Sequence, residues 1–337
     1  MNRYVRQMVF SNIGKSGQQK LLSSQVIILG MGALGTVVAN NLCRSGIGFV
    51  RIVDRDYVDL TNLQRQVLFT EEHVKKQLPK VIAAAEVLNE INSEIKIEPI
   101  ISDISSSNIE NLINGFDLIV DASDNLDLRN LINEACYKQK TPWIYGGALG
   151  SEGLTMNILQ KETTPCFKCL FPNPKLISDK TCSSFGVLNM ITNIIASKQS
   201  AEALKILLKS KAVSHELFTI DIWENKTSLI KINKNLNCPV CVQNNYETLN
   251  QITPQIATSI CGTNSIQIKS TKAVEIDFAD LSIKLGKIGK VDFNEYILSF
   301  LDSNYEIKLF KDGRALIKNA IDINHAKSIY TEYISQI

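Results

Sequence analysis

The sequence predicts an α/β fold: a doubly wound, mostly parallel sheet, followed by a small α+β appendage. Three observations predict the sheet. Short apolar strands alternate with helices of regular apolar spacing through the first 160 residues, which is typical of an open sheet covered on both faces. A glycine-rich loop, Gly30-Met31-Gly32-Ala33-Leu34-Gly35, follows the first strand of this alternation. The next strand ends in Asp54, and Rossmann-like folds bind their ligands at such carboxyl ends.

The elements of the sheet follow from the apolar pattern. Gln25–Leu29 and Phe49–Asp54 are short β-branched runs, and Ala33–Arg44 between them has apolar residues at helical spacing. The same criteria predict six further elements: the helix Leu78–Ile91 with Pro79 near its first position, the strands Ile95–Ile101 and Phe116–Asp121, the helix Asn125–Lys138, and the strands Pro142–Gly147 and Leu154–Leu159.

Beyond residue 160 the pattern changes. Residues 161–180 contain prolines and two cysteines without a period, which predicts an excursion over the surface. A long helix, Val187–Leu208, and a hairpin, Leu217–Ile222 with Ser228–Ile232, come next, and the polar stretch Gln243–Asn250 is interpreted as a linker. The chain is thereby divided into a large domain, residues 1–245, and a small domain, residues 250–337. The small domain is expected to contain the strands Ser265–Ile268, Tyr296–Phe300, Ile307–Phe310 and Ala315–Lys318, with helices near Phe278–Leu285 and Asn324–Ile334.

Composition limits the classes of function. With 36 basic and 34 acidic residues, the 337-residue chain has a net charge of +2, which argues against nucleic acid or an anionic membrane surface as the main partner. No apolar run approaches the ~20 residues that span a bilayer, and Met1–Arg6 lacks the core of a signal peptide. A cytoplasmic protein is therefore expected, in which eight cysteines serve metal binding or thiol chemistry rather than disulfides.

The glycine loop predicts a nucleotide site. Gly30, Gly32 and Gly35 permit a tight turn, close approach of a phosphate and close helix packing. The loop alone does not show whether the ligand is ATP or a nicotinamide dinucleotide, and a glycine-rich turn that binds no ligand is a further alternative. Asp54 stands where a carboxylate accepts hydrogen bonds from ribose hydroxyls, the alternative being a solvated acid at a strand end.

Cationic and amide side chains after the second strand favour a polyphosphate. Within Asn62-Leu63-Gln64-Arg65-Gln66, a guanidinium can bind phosphate oxygens at two points, with amides beside it. Lys80 lies in the first turn of its predicted helix, where a cation opposes the helix dipole unless an anion binds there. Solvated surface charge is the alternative for each residue.

The segment Asp121-Ala122-Ser123-Asp124-Asn125 ends the fourth strand at the same edge of the sheet. Mg²⁺ prefers one or two carboxylates together with phosphate oxygens and water, and Asp124 is placed to be one of them. A structural alternative is that Asp121 or Asp124 caps the following helix.

Two CxxC pairs predict a metal site. Cys166 with Cys169 and Cys238 with Cys241 have the spacing of a closed, structural four-cysteine zinc shell, the alternative being reduced thiols without a ligand. A fifth cysteine, Cys182, lies before the long helix; it is either a nucleophile, which requires exposure and a low pKa, or inert.

The joint set of motifs resembles the ThiF/MoeB/HesA family, prokaryotic relatives of ubiquitin-activating enzymes. The set comprises RYxRQ, GxGxLG, DxDxVxxxNLQRQ, PK, DxxDN, the two CxxC pairs and TC, and it extends from Arg3 to Cys241. The resemblance implies that ATP is held by Gly30, Gly32, Gly35, Asp54, Asp56, Asn62, Arg65, Gln66, Lys80, Asp124 and Asn125. It further implies Mg²⁺ on Asp124, zinc on the four cysteines, a thiol at Cys182 that some relatives use, and a homodimer in which Arg6 reaches the partner's site. Two departures are Gln77-Leu78, near which relatives often have a glycine, and Asn189-Met190-Ile191, where many have a proline.

The resemblance implies an ATP-dependent adenylyltransferase. Its substrate would be the C-terminal glycine of a small β-grasp sulfur-carrier protein, ThiS-like or MoaD-like, in thiamine thiazole or molybdopterin biosynthesis. A cysteine desulfurase or sulfurtransferase is a further partner that this chemistry allows. The alternatives are a tRNA-modifying dehydratase of the same family, which needs a basic RNA-binding face, a nicotinamide-dependent reductase and an inactive scaffold.

Overall fold

Two β-sheets organise the chain in the computed structural model, which describes residues 2–172, 185–251, 257–260, 265–269 and 276–334. The first sheet has eight described strands in the order β3-β2-β1-β4-β5-β6-β7-β8. In chain order these are Gln25–Leu29 (β1), Phe49–Asp54 (β2), Lys96–Ile101 (β3), Leu118–Asp121 (β4), Trp143–Leu149 (β5), Glu152–Ile158 (β6), Leu217–Asp221 (β7) and Lys226–Ile230 (β8). Its helices are Val5–Val9 (α1), Gly14–Ser23 (α2), Ala33–Ser45 (α3), Glu71–Lys75 (α4), Lys80–Ile91 (α5), Ile109–Ile113 (α6), Leu126–Gln139 (α7), Phe167–Leu170 (α8) and Asn189–Leu207 (α9).

The first five strands are parallel and the last three are antiparallel. β1 pairs in parallel with both β2 and β4, so that Leu29 lies opposite Val53 on one side and Asp121 on the other. The strand order reverses at β1, and the glycine loop, Asp54 and the end of β4 therefore meet at one edge. The prediction of a mostly parallel sheet is confirmed, with five parallel strands and three antiparallel strands, β6–β8, added at one side. β5 and β6 are joined by two residues, which is too short for a crossover and produces an antiparallel pair.

Both faces of the parallel strands are buried. In β1, Val26 and Ile28 belong to a core on the side of α3, α5 and α9, while Ile27 and Leu29 belong to a second core on the side of α6 and α7. Continuous apolar strands are the expected consequence of this covering. The helices α1 and α2 before β1 were not predicted. Among the described residues, no helix combines the length and apolar character needed to cross a membrane.

The second sheet is the C-terminal sheet, defined by strands β9–β14. They are Ala257–Ile260 (β9), Ser265–Ile268 (β10), Lys290–Phe293 (β11), Ile297–Leu301 (β12), Glu306–Phe310 (β13) and Ala315–Lys318 (β14), in the antiparallel order β11-β12-β13-β14-β10-β9. The helices Phe278–Leu285 (α10) and Ile323–Tyr333 (α11) pack on one face around a core that includes Leu298, Phe300 and Leu309. The sequence did not predict β9 or β11; β11 is an edge strand and is largely exposed, so it lacks an apolar pattern.

Candidate nucleotide and metal sites

The glycine loop after β1 can be built only with glycine at two of its three positions. Gly30 has a φ of +100°, and a Cβ there would lie 2.8 Å from the carbonyl oxygen of Ala122. A Cβ on Gly35 would lie 1.9 Å from the carbonyl oxygen of Gly30. At Gly32, the residue that precedes α3, the nearest atom is 4.0 Å away, on Gln66. The space beside Gly32 is therefore open at the N-terminus of a long helix, where anions bind.

Asp54 fastens this loop to the end of β2. Its Oδ2 accepts a hydrogen bond from the Met31 backbone N–H at 2.6 Å, and its Oδ1 accepts one from the Asp56 N–H at 2.8 Å. Burial raises the pKa of Asp54, and the nearby charge of Lys80 partly opposes that rise. Asp54 thus supports the loop directly, in addition to the ribose contact that the sequence predicts for it.

Lys80 is the first residue of α5 and is 8% exposed. Its Nζ donates to Asp56 Oδ2 at 3.3 Å, and its backbone N–H donates to the Asp56 carbonyl at 2.9 Å. Burial would lower the pKa of Lys80, but the carboxylates of Asp56, Asp54 and Asp124 raise it above its usual value. The charged form of the ammonium group is therefore favoured near the carboxylates that follow β2 and β4.

The segment Asn62–Gln66 lies beside the glycine loop with three different side-chain environments. Asn62 Oδ1 accepts from the Asp59 N–H at 3.2 Å as part of a capping box, so it has a structural role. The guanidinium of Arg65 is partly exposed and donates to the Thr61 carbonyl at 2.9 Å. Gln66 is 3% exposed and lies nearest to Gly32, and its Oε1 has no partner among the described residues. An unpaired buried oxygen is costly, which favours a polar ligand beside it.

The polar residues of the loop after β4 have different roles. Asn125 caps α7, because its Oδ1 accepts from the backbone N–H groups of Asp127 and Leu128 at 2.8 and 3.2 Å. The capping alternatives for Asp121 and Asp124 are therefore wrong. Asn125, which the resemblance assigns to the nucleotide, has its Oδ1 engaged in this cap. Asp124 is exposed, and its carboxylate is near enough to raise the pKa of Lys80.

Arg129 organises the same loop and was missed from the sequence. It forms an ion pair with the fully buried Asp121 at 3.3 Å, and its Nη2 donates to the carbonyls of Ser123 at 2.6 Å and Gly146 at 3.2 Å. Its guanidinium also lies 5.2 Å from the centre of the Tyr145 ring. Nothing in the local pattern distinguishes this arginine from a solvated helix residue, so no sequence signal could have identified it.

Arg6 lies on α1, away from these groups. It is exposed and makes no hydrogen bond or ion pair within the described part of the chain. The helix is nevertheless held firmly, because Asn92 donates to the buried Tyr4 hydroxyl at 2.9 Å and Gln7 donates to the Ser45 carbonyl at 2.9 Å. Val5, Val9 and Phe10 are exposed apolar residues in or next to the same helix. Cys182, the predicted thiol, falls outside the described residues.

The four predicted metal ligands form one cluster. The sulfurs of Cys166, Cys169, Cys238 and Cys241 lie within 4.8 Å of one another, with separations of 3.9, 3.6 and 3.5 Å for the pairs 166–169, 166–238 and 169–241. Tetrahedral zinc with bonds of about 2.3 Å requires sulfurs about 3.8 Å apart. Hydrogen bonds that the Cys166 thiol makes to neighbouring sulfurs, among them Cys169, and then burial raise the pKa of Cys166. A shell of four thiolates would therefore require a cation. The Asn235 N–H donates to Cys169 Sγ at 3.4 Å, as an outer-shell contact would.

Comparisons with known proteins agree with this geometry. The sequence model of the ThiF family matches residues 4–240. The chain is 39% identical over 335 residues to the sulfur carrier protein ThiS adenylyltransferase of Bacillus subtilis, covering 98% of this chain and 99% of that protein. It is 38% identical over 245 residues to the adenylyltransferase and sulfurtransferase MOCS3 of Culex quinquefasciatus, covering 72% of this chain but only 55% of that protein. A crystal structure of Escherichia coli MccB with ATP has a TM-score of 0.62 at 25% identity, covering 71% of this chain and 74% of that one.

Proposed function

We propose roles for the residues of the nucleotide and metal sites on the basis that the chain belongs to the ThiF family. It is an adenylyltransferase that activates a sulfur-carrier protein. The proposal for its site rests on one observation, the buried ammonium of Lys80 held by Asp56 beside an open glycine loop. Neither a tRNA-modifying dehydratase nor a nicotinamide-dependent reductase is favoured by the relatives, which act as adenylyltransferases or activating enzymes.

The proposed carrier is ThiS-like, which places the chain in thiamine thiazole biosynthesis. The relative described as a ThiS adenylyltransferase aligns over nearly its whole length, including the C-terminal sheet, whereas the MOCS3 relatives are much longer than this chain. The chemistry depends on ATP and reduced thiols, so we further propose a cytoplasmic location. A cysteine desulfurase or sulfurtransferase would supply the sulfur.

The reaction follows from charge. The carrier's C-terminal carboxylate is ionised at neutral pH; one of its oxygens forms a bond to the α-phosphorus, the bond to the bridging oxygen breaks, and pyrophosphate leaves. No general base is needed, so the site must mainly hold two anions in line. Lys80, Arg65 and the N–H groups at the start of α3 bind phosphate oxygens. The unpaired Oε1 of Gln66 is an acceptor, so it would take a hydrogen bond from a donor elsewhere on the nucleotide, such as a hydroxyl group.

Two metals have separate proposed sites. Asp124 is the proposed Mg²⁺ ligand, since it is an exposed carboxylate within the field of Lys80; the ion would neutralise charge on the polyphosphate. Zinc is proposed for the four-cysteine cluster, where soft thiolates and tetrahedral spacing suit it.

We also propose a homodimer in which Arg6 acts across the interface. The exposed apolar side chains of Val5, Val9 and Phe10 beside it offer a surface for a second copy of the chain, and an unpaired cation on a firmly anchored helix is suited to reach an anion in that copy. Cys182 remains a proposed acceptor of the activated carrier, to be tested as Cys182→Ser by loss of any acyl–enzyme adduct.

The decisive experiment is mass spectrometry of a ThiS-like carrier after incubation with ATP and Mg²⁺. The wild-type enzyme is expected to add one AMP to the carrier's terminal glycine. Lys80→Met should slow this addition by about 10²-fold or more, since it removes a charge that faces the triphosphate. Lys75→Met, an exposed lysine on α4, is the control and should leave the rate unchanged. An adduct formed equally fast by Lys80→Met would contradict the proposal.

A further inference from the structure

The C-terminal sheet lies against the loop that follows β2, which carries part of the nucleotide site. Ile297, Phe310 and Leu316 pack with Tyr57, and Lys308 Nζ lies 3.8 Å from the centre of the Tyr57 ring. The residues between Asp54 and Tyr57 are therefore supported on one side by the glycine loop and on the other by the C-terminal sheet.

Arg314 is a buried cation within this contact. It is 3% exposed, at the end of the turn between β13 and β14, and its guanidinium lies 3.5 Å from the centre of the Phe310 ring. Its Nη2 donates to the Arg55 carbonyl, and its Nη1 donates to Gln267 Oε1 at 3.4 Å. A guanidinium taken out of water in this way is costly unless its hydrogen bonds and charge are used.

The positive charge of Arg314 stabilises the ionised carboxylate of Asp56. Burial alone would raise the pKa of Asp56, but Lys80, Arg55 and Arg314 together lower it. Asp56 in turn holds Lys80 through both its carboxylate and its backbone carbonyl. A continuous series of polar contacts therefore runs from the C-terminal sheet, through Arg55 and Asp56, to the ammonium that faces the phosphate site.

Gln77 makes a second connection on the other side of Lys80. Its φ is +50°, a left-handed conformation that glycine adopts without strain and glutamine does not. Its side chain extends to the C-terminal sheet, where Nε2 donates to Asp292 at 3.0 Å and Oε1 accepts from the Ser299 hydroxyl. Asn294 also donates to the Lys76 carbonyl at 2.8 Å. The turn that leads into α5 is thereby held by the C-terminal sheet as well.

We infer that Arg314 is a positioning residue of the ATP site, through which the C-terminal sheet holds the Asp56–Lys80 pair in place. This inference rests on the proposed role of Lys80. It assigns a task to the C-terminal sheet, for which the sequence offers no motif: the sheet is a rigid support for the phosphate-binding lysine, and Gln77 contributes to the same support.

The test is a kinetic comparison of Arg314→Gln, Arg314→Lys and Gln77→Gly, using ATP-dependent adenylation of the carrier. Arg314→Gln is expected to raise the KM for ATP by about 5-fold or more with kcat changed by less than about 2-fold, which is the signature of lost ground-state binding. Arg314→Lys keeps the positive charge but lacks the planar set of N–H donors of a guanidinium. Its KM for ATP should therefore lie between those of the wild type and Arg314→Gln. Gln77→Gly relieves the left-handed strain and should fold normally, yet raise the KM for ATP about 2-fold or more, the same signature of lost binding.

Lys311→Gln is the matched control, since Lys311 is an exposed cation in the same turn, and it should leave both constants unchanged. A folded Arg314→Gln enzyme with an unaltered KM for ATP would overturn the inference. If that variant fails to fold, unaltered KM values for Arg314→Lys and Gln77→Gly would overturn it. Lys80→Met distinguishes failure of the proposed function from failure of this inference. An unchanged rate of AMP addition in Lys80→Met contradicts the proposed role of Lys80, whereas a slowed rate in that variant together with normal Arg314 variants contradicts the inference alone.

Discussion

At the scale of single residues, the three glycines of the loop after β1 have different tasks. Gly30 and Gly35 are required by the backbone, because a Cβ at either position would collide with a carbonyl oxygen. Gly32 is not crowded, and its missing side chain leaves room that a phosphate can occupy. One motif therefore combines two structural glycines with one that serves the ligand.

This division predicts opposite outcomes for two alanine substitutions. Gly35→Ala should lower the free energy of unfolding by about 2 kcal/mol or more, since the loop must move to admit the methyl group. Gly32→Ala should leave stability nearly unchanged and raise the KM for ATP at least about 10-fold, because the methyl group occupies the phosphate's place. Urea unfolding and adenylation kinetics measure the two effects. A stability loss in Gly32→Ala equal to that in Gly35→Ala would contradict the assignment.

At the scale of elements, the four-cysteine cluster joins two distant segments. Cys166 is the N-cap residue of α8, in the excursion after β6, whereas Cys238 and Cys241 follow the hairpin of β7 and β8. The Tyr137 hydroxyl donates to the Cys241 carbonyl at 3.0 Å, which ties the cluster to α7. The described part of the excursion is thus anchored to the large domain through Cys166 and Cys169.

Metal removal should therefore loosen this region and lower stability. We expect the purified protein to contain about one zinc ion per chain, and Cys169→Ser to lose it and to lower the free energy of unfolding by several kcal/mol, since structural zinc contributes ~10–16 kcal/mol in small domains. Metal analysis and thermal unfolding measure this. Cys136→Ala, a buried cysteine outside the cluster, should keep its zinc; normal zinc content in Cys169→Ser would count against the site.

At the scale of the whole molecule, ion pairs cross the junction of the two sheets beside its apolar contacts. Asp103, after β3, forms an ion pair with Arg55 at 2.8 Å and another with Lys269 of the C-terminal sheet. Burial would raise the pKa of Asp103, but these cations, Arg55 first, lower it below its usual value. The ionised carboxylate is therefore favoured by the fold.

The lowered pKa of Asp103 determines how its contribution to the free energy of unfolding changes with pH. Because the folded-state pKa is depressed, the contribution of Asp103 is complete above the unfolded pKa of about 3.9 and is lost as the pH falls through the folded value. Asp103→Asn should reduce the free energy of unfolding by about 2 kcal/mol at pH 7, as expected for bonds to a charged group, and the difference should shrink below about pH 4. Urea unfolding at several pH values measures it, with the exposed Asp127→Asn as control. A difference that grows with acidity would refute this account.

Much of the fold could be predicted because its information is local. β1 and β2 lie within the predicted bounds, since apolar runs bounded by glycine or acid suffice to identify parallel strands. Lys80 could be identified because a cation in a first helical turn conflicts with the dipole. The edge strand β11 could not, because exposed strands carry no apolar pattern. Arg129 and Arg314 could not either, because their partners come from strands and loops that only the tertiary fold brings to them.

The anchoring of the excursion by two cysteine pairs 72 residues apart has a consequence for biosynthesis. A ribosome releases Cys166 and Cys169 well before Cys238 and Cys241, so the nascent chain can complete its parallel strands while half of the metal shell is still missing. The proposed ion could therefore be bound by all four cysteines only after the hairpin of β7 and β8 has been synthesised, so that completion of the metal site would be a late step in folding.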